Sequence, residues 1–273
     1  MTGSTISKSK GRELKLRILS AAVLIPFAIY IIWAGGAVSA AGCALFAALM
    51  AYEWVRMTYS PSMKILTTLA AIPPLALFFA GLLPGLIALV VCALLAAISH
   101  PLASERFKAG FGLFYASGLP VAVLALRLEG PWDGQTTALL LMIIVWVSDT
   151  GAFFTGRTIG GPLLSSVSPS KTWSGAFGGM IWSALGGAAI TLFLGGDILL
   201  WVAVGLAISI AAQAGDLFES VIKRRLGVKD ASSLLPGHGG IMDRVDGFGA
   251  AAALAVIVLL LYPPLAPSLG LAG

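Results

Sequence analysis

Residues 83–99 read LPGLIALVVCALLAAIS, seventeen positions without one charged side chain. An uninterrupted apolar run close to the roughly 20 residues needed to cross a hydrocarbon core reads as a spanning helix. Its continuity, with no apolar–polar alternation, argues against a β-barrel. Working outward in both directions, eight further runs have the same character: Leu16–Ala34, Ala37–Tyr52, Ile65–Gly81, Phe111–Leu126, Thr136–Thr155, Ala176–Gly195, Ile198–Ala214 and Phe248–Leu265. The expected fold is therefore an all-α, polytopic integral membrane protein of about nine transmembrane helices. Pro73, Pro74 and Pro120 fall inside these runs, so the carbonyls they free must find partners on neighbouring helices.

Composition agrees. Of 273 residues, 58% are apolar and only 11% charged, with 33 glycines besides, whereas soluble domains carry about 25% charged residues. That excludes an ordinary water-soluble enzyme, and the apolar content excludes a disordered or collagen-like chain. Cys43 and Cys92 are too few for a disulfide scaffold and read as small buried apolar residues.

The net charge of +5 comes from 17 basic and 12 acidic residues. In a membrane chain such an excess points first to cytoplasmic loops, and no nucleic-acid partner is implied. With the N-terminus cytoplasmic, 16 of the 17 basic residues fall on one side: five before the first span, Arg56 and Lys64, Arg106 and Lys108, Arg157 and Lys171, then Lys223, Arg224, Arg225, Lys229 and Arg244. Only Arg127 lies opposite, and the C-terminus then lies outside. Residues 1–15 read as an unstructured basic cytoplasmic tail near the lipid surface. Residues 16–126 form about five N-terminal spans with few charges, and residues 127–273 about four spans carrying cytoplasmic loops over 156–175 and 215–247.

Chemistry concentrates in that second half. Asp149 lies near the end of the sixth span among Ser148, Thr150 and Gly151, and an intramembrane carboxylate is a functional-site hypothesis by default. The plain alternative is an interfacial residue that caps a helix or pairs with Arg157. In the first loop, Lys171 stands between Ser170 and Thr172, downstream of Gly156, Gly160 and Gly161. A lysine flanked by hydroxyls suits phosphate, although the spacing is not that of a Walker A loop.

The second loop says more. If the eighth helix continues past Ala214, then Asp216, Ser220 and Lys223 share one face at i, i+4 and i+7. Asp243 and Asp246, at i and i+3, share a face at the entry of the last span. Carboxylates from two helices, with water and phosphate oxygens, make a Mg²⁺ environment. Neighbouring basic residues neutralise phosphate, and Gly237, Gly239 and Gly240 let backbone N–H groups curl toward an anion. Zinc is disfavoured, because the histidines are His100 and His238 and neither cysteine is near. A solvated salt-bridge loop explains the basic residues, but it explains poorly five acidic residues between Asp216 and Asp246. These residues point to metal-assisted chemistry on a phosphorylated substrate.

The pattern Ser220-x-x-Lys223-Arg224-x-x-x-x-Lys229-Asp230-x-Ser232-x-x-Leu235-Pro236-x-His238-Gly239-Gly240-x-x-Asp243-Arg244-x-Asp246 resembles the signature of phosphatidate cytidylyltransferases, or CDP-diacylglycerol synthases. The runs Ser148–Ala152 and Ser168–Thr172 resemble two further blocks of that family, so the likeness covers about the C-terminal half. Ser174 and Gly247 depart from it, standing where Glu and Ser are common. The resemblance implies a nucleotidyltransferase of phospholipid biosynthesis. The implied reaction is transfer of CMP from CTP to phosphatidic acid, releasing pyrophosphate with Mg²⁺, and it is expected at the cytoplasmic face of a bacterial-type inner membrane. It implies a catalytic set of Asp216, Ser220, Lys223, Asp243 and Asp246, with Asp216, Asp243 and Asp246 binding metal. Substrate contacts are expected from Asp149, Lys171, Thr172, Arg224, Lys229, Asp230, His238, Gly239, Gly240 and Arg244. Glu219 falls between helix faces and reads as structural. One metal or two, a monovalent ion, and a homodimer are all left open. A CDP-alcohol phosphatidyltransferase would place aspartates at i, i+4 after Asp-Gly-x-x-Ala-Arg, which is missing here. A transporter using Asp149 is the alternative from another class.

Overall fold

The computed structural model describes residues 3–58, 63–129, 133–235, 237 and 239–271, with side chains from Leu16 onward except Arg17, Met63 and Lys64. Within the described residues ten helices follow one another: α1 (Gly3–Ala34), α2 (Gly36–Thr58), α3 (Met63–Ala80), α4 (Leu82–Ser99), α5 (Arg106–Leu128, after a 3₁₀ turn at Ala103–Glu105), α6 (Gly134–Ile159), α7 (Trp173–Leu194), α8 (Ile198–Arg225), α9 (Met242–Leu261) and the short α10 (Leu265–Ser268). Among the described residues, β-structure is limited to the isolated bridges Leu163–Thr172 and Leu235–Gly239. Among the described residues seven helices are long and apolar enough to cross a membrane, and Ile18–Ala34 and Ile65–Ala80 are shorter apolar helical stretches. The all-α membrane class is borne out. The structure accounts for seven of the nine expected spans by length and composition.

Three boundaries differ from expectation. The backbone of residues 3–15, expected as an unstructured tail, continues α1. The last long helix ends at Leu261 and not at Leu265, because Pro263 and Pro264 lack the N–H that would extend the ladder. The chain then hooks back across the bundle end: Asp133 N–H donates to Leu271 O (2.8 Å) and Asp197 N–H to Ser268 O (3.1 Å), and Trp201 Nε1 to Leu269 O (3.0 Å). Finally, the expected loop over 215–247 is largely helical, since α8 runs to Arg225 and α9 starts at Met242. That meets the condition under which Asp216, Ser220 and Lys223 stand on one helix.

Small residues set how closely the helices approach. A Cβ on Gly187 would strike Trp201 O, and one on Gly205 would strike Ser183 O, so α7 and α8 pack backbone to backbone, as membrane helices do at glycine. Between α6, α8 and α7 runs a buried polar ladder. Ser148 Oγ and Ser209 Oγ are 2.7 Å apart, and Gln213 Nε2 donates to Ser209 Oγ (2.9 Å) and Ala176 O (3.2 Å). On the other side of the bundle, Trp54 of α2 fills the space over Gly112 of α5 and donates Nε1–H to Lys108 O (3.1 Å).

One carbonyl orphaned by proline and several helix ends find partners. Pro74 cannot donate to Ala70 O, and Ser117 Oγ of α5 donates to that carbonyl instead (2.7 Å, buried). Arg127, alone among the basic residues in its expected sidedness, closes the end of α1, donating to Ile32 O (2.6 Å) and Trp33 O (3.4 Å). Asp133 caps α6 through the N–H groups of Gln135 and Thr136. Its hydrogen bonds, the Thr136 hydroxyl's foremost, hold its carboxyl below the usual carboxylate range. Asp197 caps α8 in the same way.

Ser117→Ala is expected to destabilise the folded bundle by about 1 kcal/mol, the order of an interhelical hydrogen bond in a membrane protein. In Pro74→Ala the restored N–H supplies Ala70 O from within α3, so the serine substitution costs measurably less in that background. A double-mutant cycle of unfolding in detergent checks this coupling.

Candidate active site

The site is assembled where α2 ends, α7 begins, α8 ends and α9 begins. The connection from α6 to α7 folds into a small hairpin, with Leu164 N–H donating to Lys171 O (2.8 Å) and Trp173 N–H to Pro162 O (3.1 Å). Thr172 is the N-cap of α7 and accepts from Gly175 N–H (3.1 Å), so its hydroxyl has a structural duty. The hairpin presents Lys171 to α8, where its ammonium pairs with Asp216 Oδ2.

Two turns further along α8, Lys223 is buried between two carboxylates, Glu219 Oε2 at 2.6 Å and Asp243 Oδ1 at 2.5 Å. Glu219 is itself only 1% exposed, and its Oε1 makes no hydrogen bond to the described residues. Asp243 Oδ2 accepts from Gly240 N–H (2.7 Å) and Ala231 N–H (3.1 Å), so both oxygens of Asp243 are engaged in folding the connection from α8 to α9. Asp246 is buried and accepts from Gly247 N–H (2.7 Å). One carboxylate oxygen each from Asp216, Glu219 and Asp246 lie within 4.8 Å of one another. Three hard oxygen donors from two helices at that spacing fit a divalent cation.

The same connection is tied to the first half of the chain. Glu53 of α2 is wholly buried and accepts three hydrogen bonds of 2.7 Å: Ser232 Oγ and Ile241 N–H on Oε1, and Met242 N–H on Oε2. Gly240 leaves the room this needs, since a Cβ there would stand 2.6 Å from Glu53 Oε1. Gly239, at φ +81°, makes the turn beside Asp243, where a Cβ would stand 2.7 Å from Asp243 Oδ2.

Asp149, Asp216, Asp243, Arg244 and Asp246 line one end of a cavity of about 440 Å³. The rest of its wall is apolar: Ala21, Leu24, Ile25, Ala28 and Ile31 of α1, Phe46 of α2, Val123 of α5, and Met142, Val145 and Trp146 of α6. A polar end joined to an apolar tunnel suits a molecule with a charged head and a hydrocarbon body. Arg157 lies over the Phe153 ring (5.9 Å to the centroid), and Asp149 faces the cavity.

The expected site residues therefore separate into groups. Asp149, Asp216, Asp243, Arg244 and Asp246 meet at the cavity, and Lys171 and Lys223 join them through ion pairs. Ser220 is half-buried on α8, and Lys229 and Asp230 are exposed. Arg224 turns to the loops, donating to Val167 O (3.2 Å) and Val228 O (3.1 Å). His238, like Pro236, lies outside the described residues. Two carboxylates at the heart of the site, Glu53 and Glu219, were not among the expected functional residues. For Glu53 the available signal was an acidic residue closing an apolar run.

Residues 15–262 match the model of the cytidylyltransferase family. The chain is 38% identical over 256 residues to the phosphatidate cytidylyltransferase of Brucella suis, covering 89% of this chain and 92% of that protein. It is 36% identical over 225 residues to phosphatidate cytidylyltransferase 5, chloroplastic, of Arabidopsis thaliana, covering 71% and 55% respectively. To the phosphatidate cytidylyltransferase of Haemophilus influenzae it is 41% identical over 141 residues, 47% and 49% of the two chains. The likeness thus extends beyond the signature at 220–246 to nearly the whole chain, which belongs to the cytidylyltransferase family and is a nucleotidyltransferase.

Proposed function

We propose that this enzyme transfers CMP from CTP to phosphatidic acid, giving CDP-diacylglycerol and pyrophosphate. The carrying observation is the cavity of about 440 Å³ whose carboxylate-lined end opens into an apolar tunnel between α1, α2, α5 and α6. That shape supports a lipid phosphate meeting a water-soluble nucleotide at one end of the bundle. The names of the relatives support the same reaction.

A lipid phosphate oxygen attacks the α-phosphorus of CTP. One P–O bond forms as the bond to the bridging oxygen of the β-phosphate breaks, and pyrophosphate leaves. No protein nucleophile is required, so the protein's contribution is alignment and charge neutralisation. Lys171, Lys223 and Arg244 are the cations that meet the phosphates, and the apolar tunnel aligns the lipid. Asp216, Glu219 and Asp246 would hold Mg²⁺. Glu219 takes the place that the sequence alone would assign to Asp243, whose oxygens already bind Lys223 and two backbone N–H groups. When bound, the ion supplies positive charge to the phosphate oxygens.

We further propose nine crossings, with the N-terminus and the site on the cytoplasmic side of a bacterial-type inner membrane and the C-terminus outside. The distribution of basic residues supports this, as do the opposite bundle ends occupied by the Lys171–Asp216 pair and by the Arg127–Ile32 contact.

Purified protein given phosphatidic acid, Mg²⁺ and radiolabelled CTP should move label into the lipid phase with equimolar pyrophosphate release. No labelled lipid with any divalent ion would sink the proposal. Asp216→Asn, Glu219→Gln and Asp246→Asn should each lower turnover at least as much as the roughly 10–100-fold seen for outer partners of metal sites. Mn²⁺ binding followed by electron paramagnetic resonance should weaken in all three, and less in Asp243→Asn. On the lipid side, Ala28→Trp narrows the tunnel and should raise KM for phosphatidic acid by about 10-fold while KM for CTP stays put, a loss of ground-state lipid binding alone.

A further inference from the structure

We infer that Glu53 is a positioning residue through which the N-terminal half of the chain sets the geometry of the carboxylate site. The inference rests on the proposed reaction and concerns a residue that touches neither substrate nor the converging oxygens. The first N–H groups of a helix have no partner within it. At the start of α9 two of these groups, on Ile241 and Met242, end on the Glu53 carboxylate at 2.7 Å. Met242 is one turn before Asp246, so the placement of the Asp246 carboxylate follows the backbone that Glu53 holds. The third bond, from Ser232 Oγ at 2.7 Å, pins the middle of the preceding connection to the same carboxylate. That connection also carries Ala231 and Gly240, whose N–H groups orient Asp243 and, through it, Lys223.

The chemistry is specific to a carboxylate. Two oxygens accept three donors with no donor of their own. A glutamine offers one oxygen, and in either amide orientation its NH₂ faces at least one N–H or O–H donor at hydrogen-bond distance, leaving a buried polar group unsatisfied. Aspartate keeps the charge but falls one methylene short of α9. The site is closed to other geometries on the α9 side, because Gly240 has no room for a Cβ against Glu53.

A merely structural brace and a positioning residue predict different results. The test uses full-length protein in detergent, with kcat, KM, the thermal midpoint, and Mn²⁺ affinity by electron paramagnetic resonance without nucleotide. Glu53→Gln is expected to lower kcat by about 10–100-fold and Mn²⁺ affinity by about 10-fold, as outer partners of metal sites do. KM for phosphatidic acid should remain within about twofold, since the tunnel is untouched. Ser232→Ala removes one of the three bonds and should lower the same two quantities by about threefold, with the double variant less than additive. Ser117→Ala breaks a buried bond of the same length away from the site. It should lower the thermal midpoint while leaving kcat and Mn²⁺ affinity within about twofold of wild type. Should Glu53→Gln fail to fold, Ser232→Ala decides the matter alone. Either site variant behaving like Ser117→Ala overturns the inference. If wild-type protein makes no CDP-lipid, the proposed reaction falls, and the Mn²⁺ affinities still judge Glu53.

Discussion

An ionised carboxylate at the low-dielectric end of a membrane bundle is tolerable only where donors or cations meet it. That constraint organises this protein. Glu53 and Asp243 each gather backbone N–H groups of the connection between α8 and α9, and together they fold it. Around them Asp216, Glu219, Asp243 and Asp246 meet two ammonium groups, those of Lys171 and Lys223, with the Arg244 guanidinium lining the same cavity. The four carboxyls outnumber the three cations, which favours a cationic ligand among them.

The rest of the bundle brings those groups to one place and keeps them there. Backbone-to-backbone contact at Gly187 and Gly205 draws α7 onto α8, and the Ser148–Ser209–Gln213 ladder locks α6 against them. Such hydrogen bonds have no competing water inside a bilayer, so they fix which faces meet. At the opposite end, Arg127 and the hooked C-terminal segment close helix ends with side-chain and backbone donors. Arg127 is therefore engaged at a helix terminus.

Much of the site was legible in the chain. A carboxylate, a hydroxyl and a lysine at helical spacing, followed by aspartates three apart, pointed to two acidic helix faces turned toward each other. Proline inside α3 required an outside donor for a carbonyl, and Ser117 is that donor. Two residues stayed hidden for different physical reasons. Glu53 is separated from Met242 by 189 positions, and at the end of an apolar run an acidic residue is indistinguishable from one facing headgroups. Glu219 stands beside Ser220 on a helix whose buried side depends on which neighbour packs there. Only the approach of α9 turns it inward.

Thr172, Arg224 and Asp243 show the complementary limit. All three were expected as phosphate or metal contacts, and in the fold Thr172 caps a helix, Arg224 links two loops and Asp243 organises one. Taken by itself, the sequence determined the helical class, the membrane as solvent, the charge asymmetry and the stretch that carries chemistry, because these follow from composition and local periodicity. Tertiary structure alone decided which carboxylates converge and which are consumed in holding the backbone, because donors to a buried oxygen come from whatever strand of chain is nearest in space.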